Sequence, residues 1–588
     1  MGQNPSTNWS DEKDPLPLKN HDAMQSKSSK TKKEEEAMEK VDTFIVLMLE
    51  NRSFDSIMGY LYTKEEMKNN PQLANFEGVV GKNISNPVPK FAQRDGEPTT
   101  VPVHPYSNVW GPDPDPGEIY SNVNTQLYST VNPETNRFKD PKEMLKPYNS
   151  PYDDKDPSMK GFVEDYINHF HVEITGKEGD VSNIPSYEKY KDVMGSYTPE
   201  VVPVISKLAK EFAVFDHWHC SVPSQTFCNR SFFHAASSSG RVMNNPYWDW
   251  AISNADAKTF YEQLDENNIS WAIYYDESQV MPAELLIHME RLTPFFESNF
   301  KTMSSFYDDI KNGTLPTYCF IEPRLLYNYN NYHPPVRIKG WEFLPSNVLN
   351  GEILVANVYD AIRNSPKRDN ILFTITFDEH GGLHDHVPPP KTVPPKENMV
   401  GQQDFKFDRL GVRVPTIMIS SWTKKNSLVS NTLQHSSFIS SLRKKKLNIE
   451  EDLTDRDKYA PIIPFDDVLS RDTPRTAPDY PAPGDPNVWP TVTPRKNSVL
   501  SHDKILKCPT DGLGKGICLG FAGLVDFQYK KKKLPYQINA LSKEKYDQKE
   551  KIVNDIRDHY HRLVKKDVFE QGEAVELMKK AKSVLLNQ

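Results

Sequence analysis

The chain has 588 residues, of which 37% are hydrophobic and 26% charged, with 47 prolines and 26 glycines; this suits a soluble globular enzyme rich in ordered loops and excludes a disordered polymer. That length exceeds the usual single core and favours one large domain with additions, or several smaller ones. A formal charge of −9, with lysines scattered or in short runs, leaves no broad footprint for nucleic acid, and no stretch approaches the roughly 18 to 20 apolar residues of a bilayer span.

Residues 1–40 are polar and lack apolar periodicity, so they are expected to form a disordered lead-in with no Sec-type signal peptide. Met1-Gly2-Gln3-Asn4-Pro5-Ser6 matches the myristoylation pattern at Gly2, with Lys27, Lys30, Lys32 and Lys33 as a second membrane signal that Glu34, Glu35 and Glu36 oppose. Peripheral membrane contact is thus an expectation. The five cysteines, Cys220, Cys228, Cys319, Cys508 and Cys518, lack the close pairs of a zinc module and fit reduced thiols in a cytoplasmic protein; Cys508 and Cys518 could still close a small loop.

From Val41 the pattern changes. Thr43 to Leu49 is a nearly continuous apolar run, the mark of a strand buried on both faces, and it ends in Glu50-Asn51. Residues 81–160 are rich in Pro, Asn and Tyr and read as a loop-rich insertion of the kind that builds pockets. Further runs cover Tyr318 to Ile321, Ile371 to Phe377 and Val414 to Ile419, with a helix-like stretch from Gly351 to Asn364 before the second of these. Apolar strands alternating with helices predict an α/β fold, a parallel sheet covered on both faces, with ligands gathered at the carboxyl ends of its strands. Residues 41–480 are assigned to this domain, and 481–588 to a Pro-rich and then helical C-terminal region.

Three clusters could carry chemistry. Glu50-Asn51-Arg52-Ser53-Phe54-Asp55 offers a carboxylate and an amide oxygen, hard ligands at a strand exit; helix capping by Ser53 or Asp55 is the alternative. Asp378-Glu379-His380-Gly381-Gly382-Leu383-His384-Asp385-His386 packs three acids and three histidines around a Gly-Gly pair, the ligand set of a divalent metal, although a solvated loop has the same letters. Ser221 to Arg230 holds Thr226, Asn229 and Arg230, with His234 four residues beyond. A hydroxyl needs a metal or base to become a nucleophile, and Arg or Asn can hold phosphoryl oxygens; an ordinary turn into a helix is the other reading.

Glu-Asn-Arg-Ser-Phe-Asp at 50–55, Thr-x-x-Asn-Arg at 226–230, Asp-Glu-His-Gly-Gly-x-x-Asp-His at 378–386 and Gly-Val-Arg-Val-Pro-Thr at 411–416 stand in the order shown by the phosphoesterase family, which the chain resembles over roughly 41–480. That family includes bacterial phospholipases C, plant non-specific phospholipases C and an acid phosphatase. The resemblance implies a three-layer α/β/α sandwich like alkaline phosphatase, and a two-step reaction through a phosphorylated enzyme. Carried over, Thr226 is the nucleophile, while Glu50, Asn51, Asp378 and Glu379 form the shell of a divalent metal ion of unspecified identity. Asn229 and Arg230 would grip the phosphoryl group. His333, in Asn331-Tyr332-His333-Pro334, together with His380 and His386, is a candidate acid or phosphate ligand, and His234 joins the catalytic set. The expected substrate is a glycerophospholipid cleaved to diacylglycerol and a phosphorylated headgroup; the alternatives are a soluble phosphomonoester, or an inactive lipid- or protein-binding homologue. A lipid enzyme should expose apolar side chains near its site, and Tyr247-Trp248-Asp249-Trp250 and the tail are where the sequence offers them. The sequence departs from the family at Glu118, where many members place His, and at Cys228, Asn347 and Gln434; oligomeric state is not legible.

Overall fold

The computed structural model describes residues 32–151, 155–175, 184–244, 250–253, 257–279, 281–325, 328–335, 346–485, 489, 509–510, 519–526, 530, 543–566 and 569–585. Gly2, the Cys508 and Cys518 pair and Tyr247 to Asp249 lie outside them.

Eight strands form one sheet: β1 (Thr43–Leu49), β2 (Ala213–Phe215), β3 (Trp271–Tyr275), β4 (Phe300–Thr302), β5 (Tyr318–Glu322), β6 (Ile371–Phe377), β7 (Thr416–Ile419) and β8 (Ser427–Val429). Their order across the sheet is β8-β2-β7-β6-β1-β5-β3-β4. Central β1 pairs in parallel with both β5 and β6, Ile45 lying opposite Cys319 and Phe373. Every residue of β6, and all of β1 after Thr43, is buried, which is why both read as nearly continuous apolar runs.

The sheet is not wholly parallel, as the sequence led us to expect: β7 runs antiparallel to β6 and β2. The cause is the long loop after β6, which stays at the carboxyl end of the sheet, so the next strand starts there and runs back, Thr416 pairing with Thr376. An apolar run identifies a buried strand but carries no direction.

Helices cover both faces. Phe233 and His234, on α2 (Thr226–Ala235), meet Phe320 of β5, and Phe233 also stacks on Phe438 of α5 (His435–Leu442). On the other face, Tyr274 of β3, register partner of Ile321, meets Phe306 of α3 (Met303–Asn312). Because neighbouring strand residues alternate faces, α2 and α5 lie on one side and α3 on the other, with α4 (Val348–Arg363) packed beside α3 and α1 (Pro203–Glu211).

The insertion at 81–160 has a small core of its own, with Val101, Val123, Leu127 and Phe138 packed against Phe162 and Tyr166. The tail forms two helices, Lys543–Val564 and Gln571–Leu585, packed on each other. Before them Leu519, Phe521, Ala522, Leu524 and Val525 are buried, Phe521 meeting Phe296 with ring centroids 6.0 Å apart. Trp250, one of the apolar residues expected near a lipid-facing mouth, is instead fully buried, its indole N–H donating to the carbonyls of Met243 and Asn244.

Candidate active site

Strands β1 and β6 lie side by side and end together, so the two acid-bearing segments that follow them meet. Asn51 takes a left-handed backbone conformation (φ 59°), which asparagine tolerates better than most residues, and the turn aims its side chain back across the sheet end. Its backbone N–H donates to Asp378 Oδ1 at 3.3 Å, and the Glu379 N–H donates to the same oxygen at 2.7 Å. The loops touch so closely at Gly381 (φ 63°) that a Cβ there would stand 2.8 Å from the Asn51 carbonyl carbon.

Glu50, Asn51, Asp378 and Glu379 therefore converge, and the insertion adds a fourth carboxylate. Glu118 accepts from Asn51 Nδ2 at 2.6 Å and from Gln225 Nε2 at 3.3 Å, and its charge adds to that borne by Glu379. Asp115 and His333 approach Glu118 closely enough to share an ion with it. Sequence reasoning marked Glu118 only as a departure, because nothing in a Pro-rich loop indicates where its side chain will go.

The balance of charge is unusual. Glu50, Asp378 and Glu379 are buried and Glu118 is partly exposed, while among the described residues the one guanidinium paired with these acids is that of Arg230, its Nε 3.3 Å from Asp378 Oδ2 and its Nη2 3.4 Å from Glu50 Oε1. Burial, then the neighbouring carboxylates, lifts Glu50 and Glu379 well above the ordinary range; burial also raises Asp378 and pushes Glu118 up to about 6. Such crowding raises the cost of ionisation unless positive charge arrives. Two oxygens, Asn51 Oδ1 and Glu379 Oε1, are buried without a hydrogen-bond partner among the described residues. An oxygen-rich set with excess negative charge and unsatisfied acceptors fits a hard divalent cation.

Thr226 opens α2 directly after Gln225, whose amide touches Glu118. Thr226 and Arg230 are four residues apart and share a helix face, so the hydroxyl stands one turn above the guanidinium that pairs with Asp378 and Glu50. Thr226 and His333 are 5% and 7% exposed, which with Glu118 puts the opening of the cluster at these residues. The first turn of the helix also presents the positive end of its dipole, which favours an anion.

The remaining predicted residues are placed differently. Asn229 accepts from the Val222 N–H at 2.9 Å and donates to the carbonyls of Val222, Ser224 and Gln225, so its amide holds the loop before Thr226 and is not free to grip a ligand. Arg230 donates from Nε to Asp378 and from Nη2 to both Glu50 and the Met48 carbonyl, leaving Nη1 buried without a partner among the described residues. His234 sits eight residues along the helix from Thr226, about 12 Å, with its Nε2 between the hydroxyls of Tyr318 and Tyr261 and its Nδ1 2.8 Å from Glu284; it belongs to a buried network and not to the opening.

His333 Nδ1 donates to the Pro334 carbonyl at 2.7 Å, and burial holds its pKa down at about 4. Its Nε2 is then an unprotonated acceptor, 2.9 Å from Asn51 Nδ2, suited to a ligand or base and not to the acid or phosphate-binding role the sequence suggested. His380, also kept neutral by burial at about 3, donates from Nε2 to Gln126 Oε1 at 2.7 Å, and its Nδ1, 3.3 Å from Glu379, is left without a hydrogen-bond partner among the described residues. His435, which the catalytic set lacked, supports Asp378 by donating to its carbonyl at 2.7 Å.

His386 is outside the cluster. Its Nδ1 lies 2.7 Å from Asp55 and its Nε2 2.9 Å from Glu77, with Lys82 and the buried Arg413 alongside, and Arg413 ties Asp55 to Asp385. Asp55, Asp385 and His386 are spaced for a metal, but Arg413 already supplies the cation there. Burial opposes the imidazolium, yet the hydrogen bond and charge of Asp55 outweigh it and raise the pKa. A raised folded pKa means stabilisation that is complete below the unfolded value near 6.5 and is lost as pH rises through the folded one. His386→Ala is therefore expected to lower Tm by several degrees more at pH 6 than at pH 9; an equal loss at both would show that the imidazole acts only by packing.

The model of the Phosphoesterase family matches residues 41–446. Among similar proteins are two from Arabidopsis thaliana: non-specific phospholipase C3, 32% identical over 74% of this chain and 75% of that one, and non-specific phospholipase C6, 33% identical over 79% of this chain and 78% of that one. A non-hemolytic phospholipase C of Burkholderia pseudomallei is 27% identical over 40% of this chain and 39% of its own.

Proposed function

The chain belongs to the phosphoesterase family, and from that membership we propose that this phosphoric-ester hydrolase is a phospholipase C acting on glycerophospholipids through Thr226. The observation that carries the reading is the convergence of Glu50, Asn51, Glu118, Asp378 and Glu379 beside the first residue of α2. The names of the relatives support a phospholipid substrate. So do Leu145 and Val400, 52% and 61% exposed on segments joined by the Lys146 to Asp404 ion pair, where apolar side chains can meet a lipid surface.

Glu50, Asn51, Asp378 and Glu379 would hold a divalent cation, which would supply positive charge to lower the pKa of a nearby hydroxyl and offset charge on phosphoryl oxygens. Thr226 Oγ1 attacks phosphorus as the bond from phosphorus to the glycerol oxygen breaks. Its proton passes to Glu118, adjacent through Gln225, and on to the departing alkoxide, so diacylglycerol leaves neutral. Water then attacks the same phosphorus, one of its protons passing through Glu118 to Oγ1 as the bond from phosphorus to Oγ1 breaks, so the threonine hydroxyl is restored and the phosphorylated headgroup is released. Arg230 holds Glu50 and Asp378 in place, and Asn229 fixes the loop that presents Thr226.

The test is a product assay of the purified full chain with phosphatidylcholine vesicles and, separately, a soluble phosphomonoester. Release of diacylglycerol and phosphocholine is the expected result. Turnover of the monoester alone would reassign the enzyme as a phosphatase, and turnover of neither would point to a binding homologue.

A further inference from the structure

The loop that brings Glu118 to the acid cluster is held by one side chain from the helix that follows it, and the same side chain reaches the loop that carries Glu379. Gln126, on the helix Tyr120–Tyr128, is fully buried. Its Nε2 donates to the Gly117 carbonyl at 2.6 Å and to Asp165 Oδ2 at 2.8 Å, and its Oε1 accepts from His380 Nε2 at 2.7 Å. A carbonyl oxygen can only accept, so the Gly117 contact fixes which end of the amide faces that loop and leaves the amide oxygen for His380. Both amide protons are thus spent within the insertion and its neighbouring helix, while the oxygen reaches across to the 378–386 loop.

Asp165, on the helix Phe162–Thr175, anchors the arrangement: it is buried and also accepts from Asn122 Nδ2 at 2.9 Å. Phe162 of the same helix meets the His380 ring nearly edge-on, centroids 6.2 Å apart. The two loops lie against each other, since a Cβ on Gly382 would run into the very Gly117 oxygen that Gln126 holds. What each loop presents to the cluster lies one residue from its Gln126 contact. Glu118 follows Gly117, and its carboxylate takes Asn51 Nδ2 at 2.6 Å; His333 Nε2 lies 2.9 Å from the same nitrogen, so the amide is fixed with Oδ1 left over, without a hydrogen-bond partner among the described residues. Glu379 precedes His380, and its Oε1 is likewise unpartnered among them.

We infer that Gln126 is a positioning residue for the cation site and for Glu118: through Gly117 and His380, one amide sets the orientation of Asn51, Glu118 and Glu379. It touches none of the reacting groups. Polar partners standing behind the ligands in this way are worth about ten- to a hundredfold in metal affinity or activity. The expected effect on turnover rests on the phospholipase C reading; the expected effect on cation affinity does not.

The experiment uses the full chain and Gln126→Met, which nearly keeps the length and volume of the side chain and removes its three hydrogen bonds. Protein freed of metal by chelator and dialysis is titrated by calorimetry with Mg²⁺, Ca²⁺ and Mn²⁺ in turn, and kcat and KM are measured on phosphatidylcholine vesicles. The variant should bind the cation that wild type prefers at least about tenfold more weakly, and should lose at least about tenfold in kcat with KM within about twofold, because no substrate contact is removed. Val101→Ala, in the insertion's own core, is the control for stability: it should lower Tm and change neither affinity nor kcat. Gln126→Asn keeps the amide but withdraws it by one methylene, and should show the same losses if Gln126→Met does not fold. Wild-type affinity in the variants, a fall confined to kcat, no binding of any of the three cations by the wild-type chain, or equal losses in Val101→Ala at a matching fall in Tm overturns the proposal. If wild type does not cleave phosphatidylcholine while cation affinity still depends on Gln126, the reaction reading fails and the positioning role stands.

Discussion

Thr226→Ala is expected to reduce kcat for lipid hydrolysis by at least about 10³-fold, about 4 kcal/mol of barrier. The substitution removes the one hydroxyl that stands both at the start of α2 and beside the acid cluster, and little else. Thr226 is the first helical residue and not the cap, alanine suits that position, and the neighbouring contacts of Gln225 and Asn229 do not involve its side chain. Tm should thus remain within a degree or two. Thr226→Ser retains the hydroxyl and should recover most of the lost rate. Wild-type turnover by Thr226→Ala would remove the threonine from the mechanism, and the nucleophile would have to be sought elsewhere.

The second large effect concerns the carboxylates. Asp378→Asn keeps the shape of a side chain that accepts from two backbone N–H groups and meets Arg230, but removes one charge from the centre of the cluster. It should cost at least about 10²-fold in kcat and also the response to metal. Wild-type protein treated with chelator should melt at a lower temperature and regain stability when a hard divalent cation is added. At a hundredfold excess over Kd, that linkage amounts to about 2.7 kcal/mol. The variant should show little of this rise. A metal-induced rise of equal size in Asp378→Asn would place the ion elsewhere, and because melting is independent of turnover, the result stands even if the substrate is wrong.

The parts of this molecule legible in its sequence were those where one physical demand dominates. Thr43 to Leu49 and Ile371 to Phe377 are apolar at nearly every position because helices cover both faces, so their limits could be read directly. Strands of three residues such as Ala213–Phe215 or Ser427–Val429 are too short to establish a period, and the reversed direction of β7 depends on where a loop travels. Asn51 and Asp378 could be brought together because both follow neighbouring strands. Glu118 could not, since it reaches them from a Pro-rich insertion with no regular phase. The histidines misled for a chemical reason: imidazole serves equally as catalyst, core hydrogen-bonder and surface clamp. His234 and His386 are of the latter two kinds, and only their partners, two tyrosines in one case and Asp55 and Glu77 in the other, distinguish them.

The near-contact of Gly381 with the backbone of Asn51 has a consequence for recombination. Because the two acid-bearing loops meet main chain to main chain, neither has slack to absorb a change in the other. A chimera that receives the 50–55 segment of a relative and keeps its own 378–386 segment should misplace Asp378 even if every ligand identity is preserved, whereas exchanging both segments together should retain the geometry. The two stretches, more than 300 residues apart in the chain, form a single heritable unit, and the tolerance of each to insertion is set by its counterpart.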